Sequence, residues 1–419
     1  MVGGEKKADL VVRNAATTYS SSKVDVAVKD GVVIKVGAVK EKGGLEYDAN
    51  GRLVLPGFIN IHTHLDKAAL LSKMRPDEFG LSLEQNRELL KSFKKNYRTD
   101  EIKARARGVL VQMAQNGCTA VRTQVDVDTT CGLKAVEALI ELKAEVSKWM
   151  TLELCVFPQQ GLVGDEAYGL CDKALSLGCD LMGGLPLVEK NWDDRRRHVD
   201  AVFELAKKHG VKVDAQLDES NDPREFILPY FAEKTIEAGY EGKVTATHCI
   251  SLAAVDDKIA QETIRLMKHA GISVNVTPSA NLLTLHVVEN GLYVRPHNSI
   301  TRVIELIDAG IPVSLGTDNI RDVFYPLGNC SIIRELHVLA SAVRMTQSDD
   351  PTRLLHMASE EGAKSLGLNY GIKAGCAADF IILDAHNPRD VINGVPYVPA
   401  VFKGGKLISE TEFVEKVKP

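Results

Sequence analysis

The chain has 419 residues, 45% of them hydrophobic and 26% charged, and a formal net charge of −5. That length exceeds one small domain and suits a large barrel with an appendage, and the composition is that of an ordinary globular enzyme. Mild acidity without a long run of one sign speaks against nucleic acid or an anionic membrane as partner, and no apolar stretch approaches a membrane span.

The opening segment MVGGEKKADLVVRN carries charges where a secretory signal needs an apolar core. The eight cysteines are scattered and form no CxxC pair, so a reduced, cytoplasmic protein is expected. Within the first fifty residues, ADLVVRNA and KVDVAVKDGVVIKVGAV alternate with period two, and KDG marks a turn between antiparallel strands.

From residue 53 the pattern changes to apolar runs separated by helical stretches. Eight buried strands are predicted, at 53–62, 118–127, 152–159, 180–187, 211–218, 243–249, 272–278 and 311–318. Helical patterns such as DEIKARARGVLVQMAQNG and KIAQETIRLMKHAG lie between them, and several end in glycine. Repeated helix–glycine–strand units imply parallel strands with crossover helices, and eight such units close into a (β/α)₈ barrel. A doubly wound open sheet would compete, but the GxGxxG expected after its first strand is absent. The last fifty residues return to short strands, GCAADFIILDA and YVPAVFKGGKLIS, with KGGK as a hairpin signal. The expected α/β fold is therefore a TIM barrel over 55–369, with a small β-sandwich domain built from both chain ends, 1–54 plus 370–419. Residues 72–98 are long for a barrel connection and read as a lid or an interface element.

Chemistry in such a barrel is sought at the C-terminal ends of the strands. There stand His62 and His64, then Gln124 and Asp126, Gln159 and Gln160, Gln216 with Asp218 and Glu219, His248, and Asp318 with Asn319. Strand alternation puts His62 and His64 on one face, the geometry of two ligands on one metal ion, and imidazole suits zinc or iron(II). A pair of histidines can instead cap a strand or satisfy a core. The added His248 and the GTDN segment around Asp318 favour the metal site. Lys67 reads as the partner of a nearby carboxylate and Asp66 as a supporting residue. His198, His209 and His269, beside Lys or Arg in helical patterns, are expected on the surface, as are His286 and His297 in a loop. His337 and His356 are expected in the core or at its rim.

These motifs resemble the amidohydrolase superfamily, and within it the cytosine deaminase-like branch. The resemblance is carried by LVLPGFINIHTHLDKA, VRTQVDVD, VFPQQG, DAQLDES, VTATHC and SLGTDNIRDVFYPLGN, and spans nearly the whole chain. The HTHxDK and DNIRD details are shared with N-isopropylammelide amidohydrolases. The resemblance implies a mononuclear hydrolase holding one divalent ion, zinc or iron. It assigns His62, His64 and Asp318 as ligands, with Asp318 also the base, and His248 as the residue that holds or polarises the attacking water. It further assigns Glu219 as proton shuttle, Gln159 to a carbonyl and amide of the substrate, and Phe324 as the aromatic closing the pocket, with Asn319 beside it. It also implies a homo-oligomer acting on a small heterocycle.

Two positions depart from that pattern. The fifth strand supplies Gln216, and the second Gln124, where the branch has histidine. An amide oxygen is the weaker ligand for zinc or iron. His248 then completes the ligand set, or Gln216 coordinates through its oxygen, or the site holds metal poorly. The expected reaction is hydrolysis of a C–N bond in a cytosine-like, triazine or cyclic amidine ring by metal-activated water. The alternatives are hydrolysis of a cyclic amide or N-alkylamine, and a metal-poor, non-catalytic binding barrel.

Overall fold

The computed structural model describes residues 7–283, 288–289, 292–293, 298–414 and 416. Eight parallel strands follow one another around a barrel: Phe58–Thr63, Cys118–Asp126, Thr151–Phe157, Leu181–Gly184, Lys212–Leu217, Val244–His248, Ser273–Val276 and Val313–Leu315. Most of their residues are buried, as expected of a parallel sheet covered on both faces. The eighth strand returns to the first through one parallel bridge, Thr63 to Asp318. At that seam a Cβ on Gly316 would stand 2.6 Å from the Cβ and carbonyl oxygen of His62, so only glycine lets the strands close.

The crossover helices form because their sequences bury one stripe. In Asp257–His269 the buried positions are Ala260, Thr263, Ile264 and Met267, the spacing of one helical face. Trp192–His209 opens on Asn191, whose side chain accepts from Asp194 N, and stops at Gly210 with φ 66°. Its buried stripe includes His198, which corrects the surface expectation. The neighbouring arginines suggested solvent, but residue 198 lies on the same stripe as Val199, Val202 and Phe203. His198 Nε2 accepts from Leu185 N at 2.9 Å, and Nδ1 lies 2.8 Å from Glu189 Oε1.

The predicted strand 53–62 divides in two. Leu53–Pro56 pairs antiparallel with Phe380–Leu383 in a separate sheet, while Phe58–Thr63 enters the barrel. Gly57 is the break, since a Cβ there would fall 2.4 Å from Thr119 Oγ1. The separate sheet runs in the order Lys406–Glu410, Ala400–Lys403, Phe380–Leu383, Leu53–Pro56, Leu10–Thr17, Ser20–Lys29, Val32–Gly37, with Leu45–Asp48 also beside Leu10–Thr17. Both chain ends thus supply strands to one sheet, and Leu10, Val26, Val54, Phe380 and Phe402 share a core there. Its hairpins use the signals seen in the sequence: Asp30 and Gly31, then Gly404 and Gly405, all have positive φ, as two-residue turns of this type require.

Over the mouth of the barrel lies the segment predicted as a lid or interface. It contains the helix Leu83–Lys95, whose Ser82 and Gln85 form a reciprocal cap. Leu90 and Lys94 are its buried residues, and Leu83, Asn86 and Arg87 face the pocket below.

Candidate metal centre and active site

The seam between the first and eighth strands fixes the site. Asp318 follows Val313–Leu315 in a left-handed backbone, φ 58°, held by Asp318 N donating to His62 O at 2.9 Å and Thr63 Oγ1 donating to Asp318 O at 2.8 Å. Its carboxylate Oδ1 then lies 3.3 Å from His64 Nε2 and 3.6 Å from His62 Nε2. From the fifth strand, the amide nitrogen of Gln216 reaches within 3.4 Å of His62 Nε2 and 3.3 Å of His64 Nε2. All four side chains are buried. Burial pulls His62 well below the usual imidazole range and His64 down to about 4, so both rings are neutral at pH 7 and keep lone pairs for a cation. Burial alone would raise Asp318, but its close contact with His64 and the nearness of His62 and His248 hold it well below the usual carboxylate range.

These distances test whether a metal fits. Tetrahedral donors about 2.1 Å from a common centre stand about 3.4 Å from each other. Four contacts among His62, His64, Asp318 and Gln216 fall at 3.3–3.6 Å. The end of the Gln216 side chain therefore stands at the vertex a fourth ligand takes, and turning the amide by half a revolution presents its oxygen there. His248 comes within ligand reach as well: its ligand atom and those of His62 and Asp318 all lie within 4.8 Å of one another. Its Nδ1 lies 2.9 Å from Asn281 Nδ2, and its buried Nε2 has no hydrogen-bond partner among the described residues. That free nitrogen lies 3.7 Å from Glu219 Oε2.

A second group, His64, Asp66 and Asp126, also comes within ligand reach. Its positive charge is already built in. Lys67 Nζ donates to Asp126 Oδ1 at 2.6 Å, and Lys94 Nζ lies 2.5 Å from Asp126 Oδ2. Burial would raise Asp126, yet these two lysines bring it down to about 2, while buried Asp66 is pushed up to about 7. Among the described residues, the group at His62, His248 and Asp318 is the other one whose ligand atoms come within reach of a single ion. Lys67 Nζ also lies 3.0 Å from His64 Nδ1, where metal-bound histidines ordinarily have an acceptor. This and Gln216 are the two features that weaken the hold on a metal.

The pocket has a polar floor of His64, Gln159, Gln216, Glu219, Asp318 and Asn319. Leu81, Leu83, Leu187, Leu283 and Phe324 form its apolar wall. Every residue assigned to the substrate from the sequence, Gln159, Asn319 and Phe324, lines this pocket. Burial pushes the half-buried Glu219 upward, and Asp318 adds to the shift against the opposing charge of His248.

The amidohydrolase family profile matches residues 53–408. The chain belongs to the amidohydrolase family. It is a hydrolase of non-peptide C–N bonds by that membership. Over 98% of its length it is 30% identical to an N-isopropylammelide isopropyl amidohydrolase of Pseudomonas sp. strain ADP, covering 99% of that protein. A pterin deaminase of Rhizobium rhizogenes is 26% identical over 93% of the chain and 88% of its own. Among solved structures, 5-methylcytosine deaminase from Klebsiella pneumoniae liganded with 5-fluorocytosine superposes with a TM-score of 0.89 at 28% identity, covering 98% and 99% of the two chains.

Beside these family positions lie residues the sequence reading passed over. Thr277, just past the seventh strand, places its Oγ1 3.2 Å from both His248 Nδ1 and Asp318 Oδ2, and Asn281 also faces His248. A polar residue at that strand end was available as a signal. Lys94 was missed because its ion partners are distant in sequence, although residues 87, 90 and 94 share one helical face. Asp218 has a supporting part: its carboxylate accepts from Ile227 N and Leu228 N at the start of Leu228–Glu237. His286 and His297 lie outside the described residues. Among the described residues, no helix is long and apolar enough to cross a membrane.

Proposed function

We propose that this chain hydrolyses a C–N bond of a small nitrogen heterocycle, releasing ammonia or an amine, at one divalent ion of zinc or iron. The observation that carries the reading is the spacing of His62, His64, Asp318 and Gln216, whose four contacts at 3.3–3.6 Å match four of the six edges of one coordination tetrahedron. When bound, the cation lowers the pKa of water towards neutrality and so supplies a nucleophile at pH 7. Asp318, anionic between two histidines, would take the proton of the attacking water. His248 Nε2 faces the same space and orients the water. Glu219, beside His248 and open to the pocket, delivers a proton to the ring or leaving nitrogen as the C–N bond breaks. Gln159, Asn319 and Phe324 hold the ring. The related proteins named above act on an ammelide, a pterin and a methylcytosine, which supports a heterocycle over a linear amide.

Deamination and amine release are separated by one assay. A panel of aminopyrimidines, pterins and N-alkylaminotriazines, followed for ammonia and for alkylamine, is expected to show turnover of at least one ring. Absence of both products with metal-loaded protein contradicts the reading.

The second reading, a metal-poor binding barrel, is favoured by two observations, the amide at Gln216 and the ammonium of Lys67 against His64. Gln216→His decides how far it applies. An imidazole at the fourth vertex is expected to raise zinc affinity by about tenfold or more, read by competition with a chromophoric chelator. Unchanged affinity would show that position 216 does not face the metal.

A further inference from the structure

The helix Leu83–Lys95 sends one side chain into the barrel mouth that neither the ligand set nor the proton shuttle uses. Lys94 is 1% exposed. Its Nζ lies 2.5 Å from Asp126 Oδ2 and 2.6 Å from Asp128 Oδ2, and it donates to Gln159 Oε1 at 2.9 Å. Burial pulls Lys94 down, but Asp126 and Asp128 outweigh it and keep the ammonium charged. An ammonium has three hydrogens and no lone pair, so only the oxygen end of Gln159 can face it. Chemistry thus settles an amide orientation that atom positions alone leave open. The other end of that amide, two N–H donors, is left to the pocket that Gln159 lines.

We propose that Lys94 is a positioning residue that turns the Gln159 amide donors toward the substrate, so the pocket selects rings presenting a hydrogen-bond acceptor at that point. The acceptor is an exocyclic carbonyl oxygen. This deepens the heterocycle reading above, on which it rests. It also narrows the sequence expectation, in which Gln159 served a carbonyl and an amide alike. A ring offering an amino group there would set N–H against N–H, a buried mismatch that costs far more than a missing bond gains. Asp126 also holds Lys67 at 2.6 Å, and Lys67 lies 3.0 Å from His64 Nδ1. The lid helix, the selecting amide and a metal-site histidine are therefore joined through one carboxylate, and docking of that helix completes the donor face of the pocket.

The test is the ratio of affinities for cytosine and 2,4-diaminopyrimidine, measured by calorimetry on the full chain at a pH where both are neutral. These rings exchange the carbonyl acceptor at C2 for an amino donor, and the N1 proton of cytosine is lost with the change. A ratio taken on one preparation is unaffected by a loss of folded fraction. The natural chain is expected to prefer cytosine, Lys94→Met to lower that preference by about tenfold, and Gln159→Glu, which keeps Lys94 and turns an oxygen to the pocket, to reverse it. An unchanged ratio in Gln159→Glu, an unchanged ratio in folded Lys94→Met, or no preference in the natural chain overturns the inference. Binding with this preference but without hydrolysis of any ring leaves the inference standing and removes the hydrolase reading instead.

Discussion

Asp318→Asn is expected to lower kcat by about 10³-fold or more and to lower bound metal with it. The substitution isolates the charge. Asp318 occupies a left-handed backbone position, φ 58°, which asparagine tolerates as readily as aspartate. The bonds that hold this turn, from Asp318 N to His62 O and from Thr63 Oγ1 to Asp318 O, involve the main chain of residue 318 and survive. What goes is the anion 3.3 Å from His64 Nε2 and 3.6 Å from His62 Nε2, and with it the proposed ligand and base. Steady-state rates and metal content measured together check the claim. A variant with full metal and a rate within tenfold of the natural chain would take Asp318 out of the mechanism.

Glu219→Gln is expected to lower kcat by about 10²–10⁴-fold while leaving metal content unchanged. Glu219 lies 3.7 Å from His248 Nε2 and lines the pocket, and among the described residues no hydrogen bond or ion pair joins it to His62, His64 or Asp318. Glutamine keeps the shape and gives up the transferable proton. The contrast with Asp318→Asn is the informative part: one variant loses rate and metal, the other rate alone. If Glu219→Gln keeps its rate on a ring that releases ammonia, the proton comes from another group.

Much of this was legible before any coordinate. The eight strands fell where apolar runs alternated with helical stripes, because each buried strand must be apolar on both faces. The boundary between sheet and barrel was not legible, because LVLPGFINIH is equally apolar on both sides of Gly57. The pairing of Leu53–Pro56 with Phe380–Leu383 and of Phe58–Thr63 with Cys118–Asp126 shows where the chain passes from one to the other. His62, His64, Glu219, His248 and Asp318 announced themselves as polar residues ending strands, and the folded chain brings them together. His198 misled for a physical reason: three arginines precede it, yet helical periodicity carries it to the buried stripe. Lys94 and Thr277 stayed hidden because their significance lies in partners 32 or more residues away, Asp126, Gln159 and Asp318.

Gln216 is the position on which the chemistry turns. Sequence alone left open whether His248 replaces it, whether it coordinates, or whether the site holds metal poorly. Gln216 stands 3.3–3.4 Å from His62 and His64, His248 also comes within ligand reach of His62 and Asp318, and the ammonium of Lys67 argues that the hold is weaker than in a site with a third imidazole from the fifth strand. Metal dependence is therefore the central claim, and metal removal tests it most directly. The chain is stripped with a chelator, reloaded with zinc or, without oxygen, with iron(II), and assayed for metal content and for ammonia or amine release. The expected result is one ion per chain after reloading, with hydrolysis lost on stripping and regained on reloading. Well under one equivalent after reloading, or hydrolysis that survives complete removal, would contradict the account.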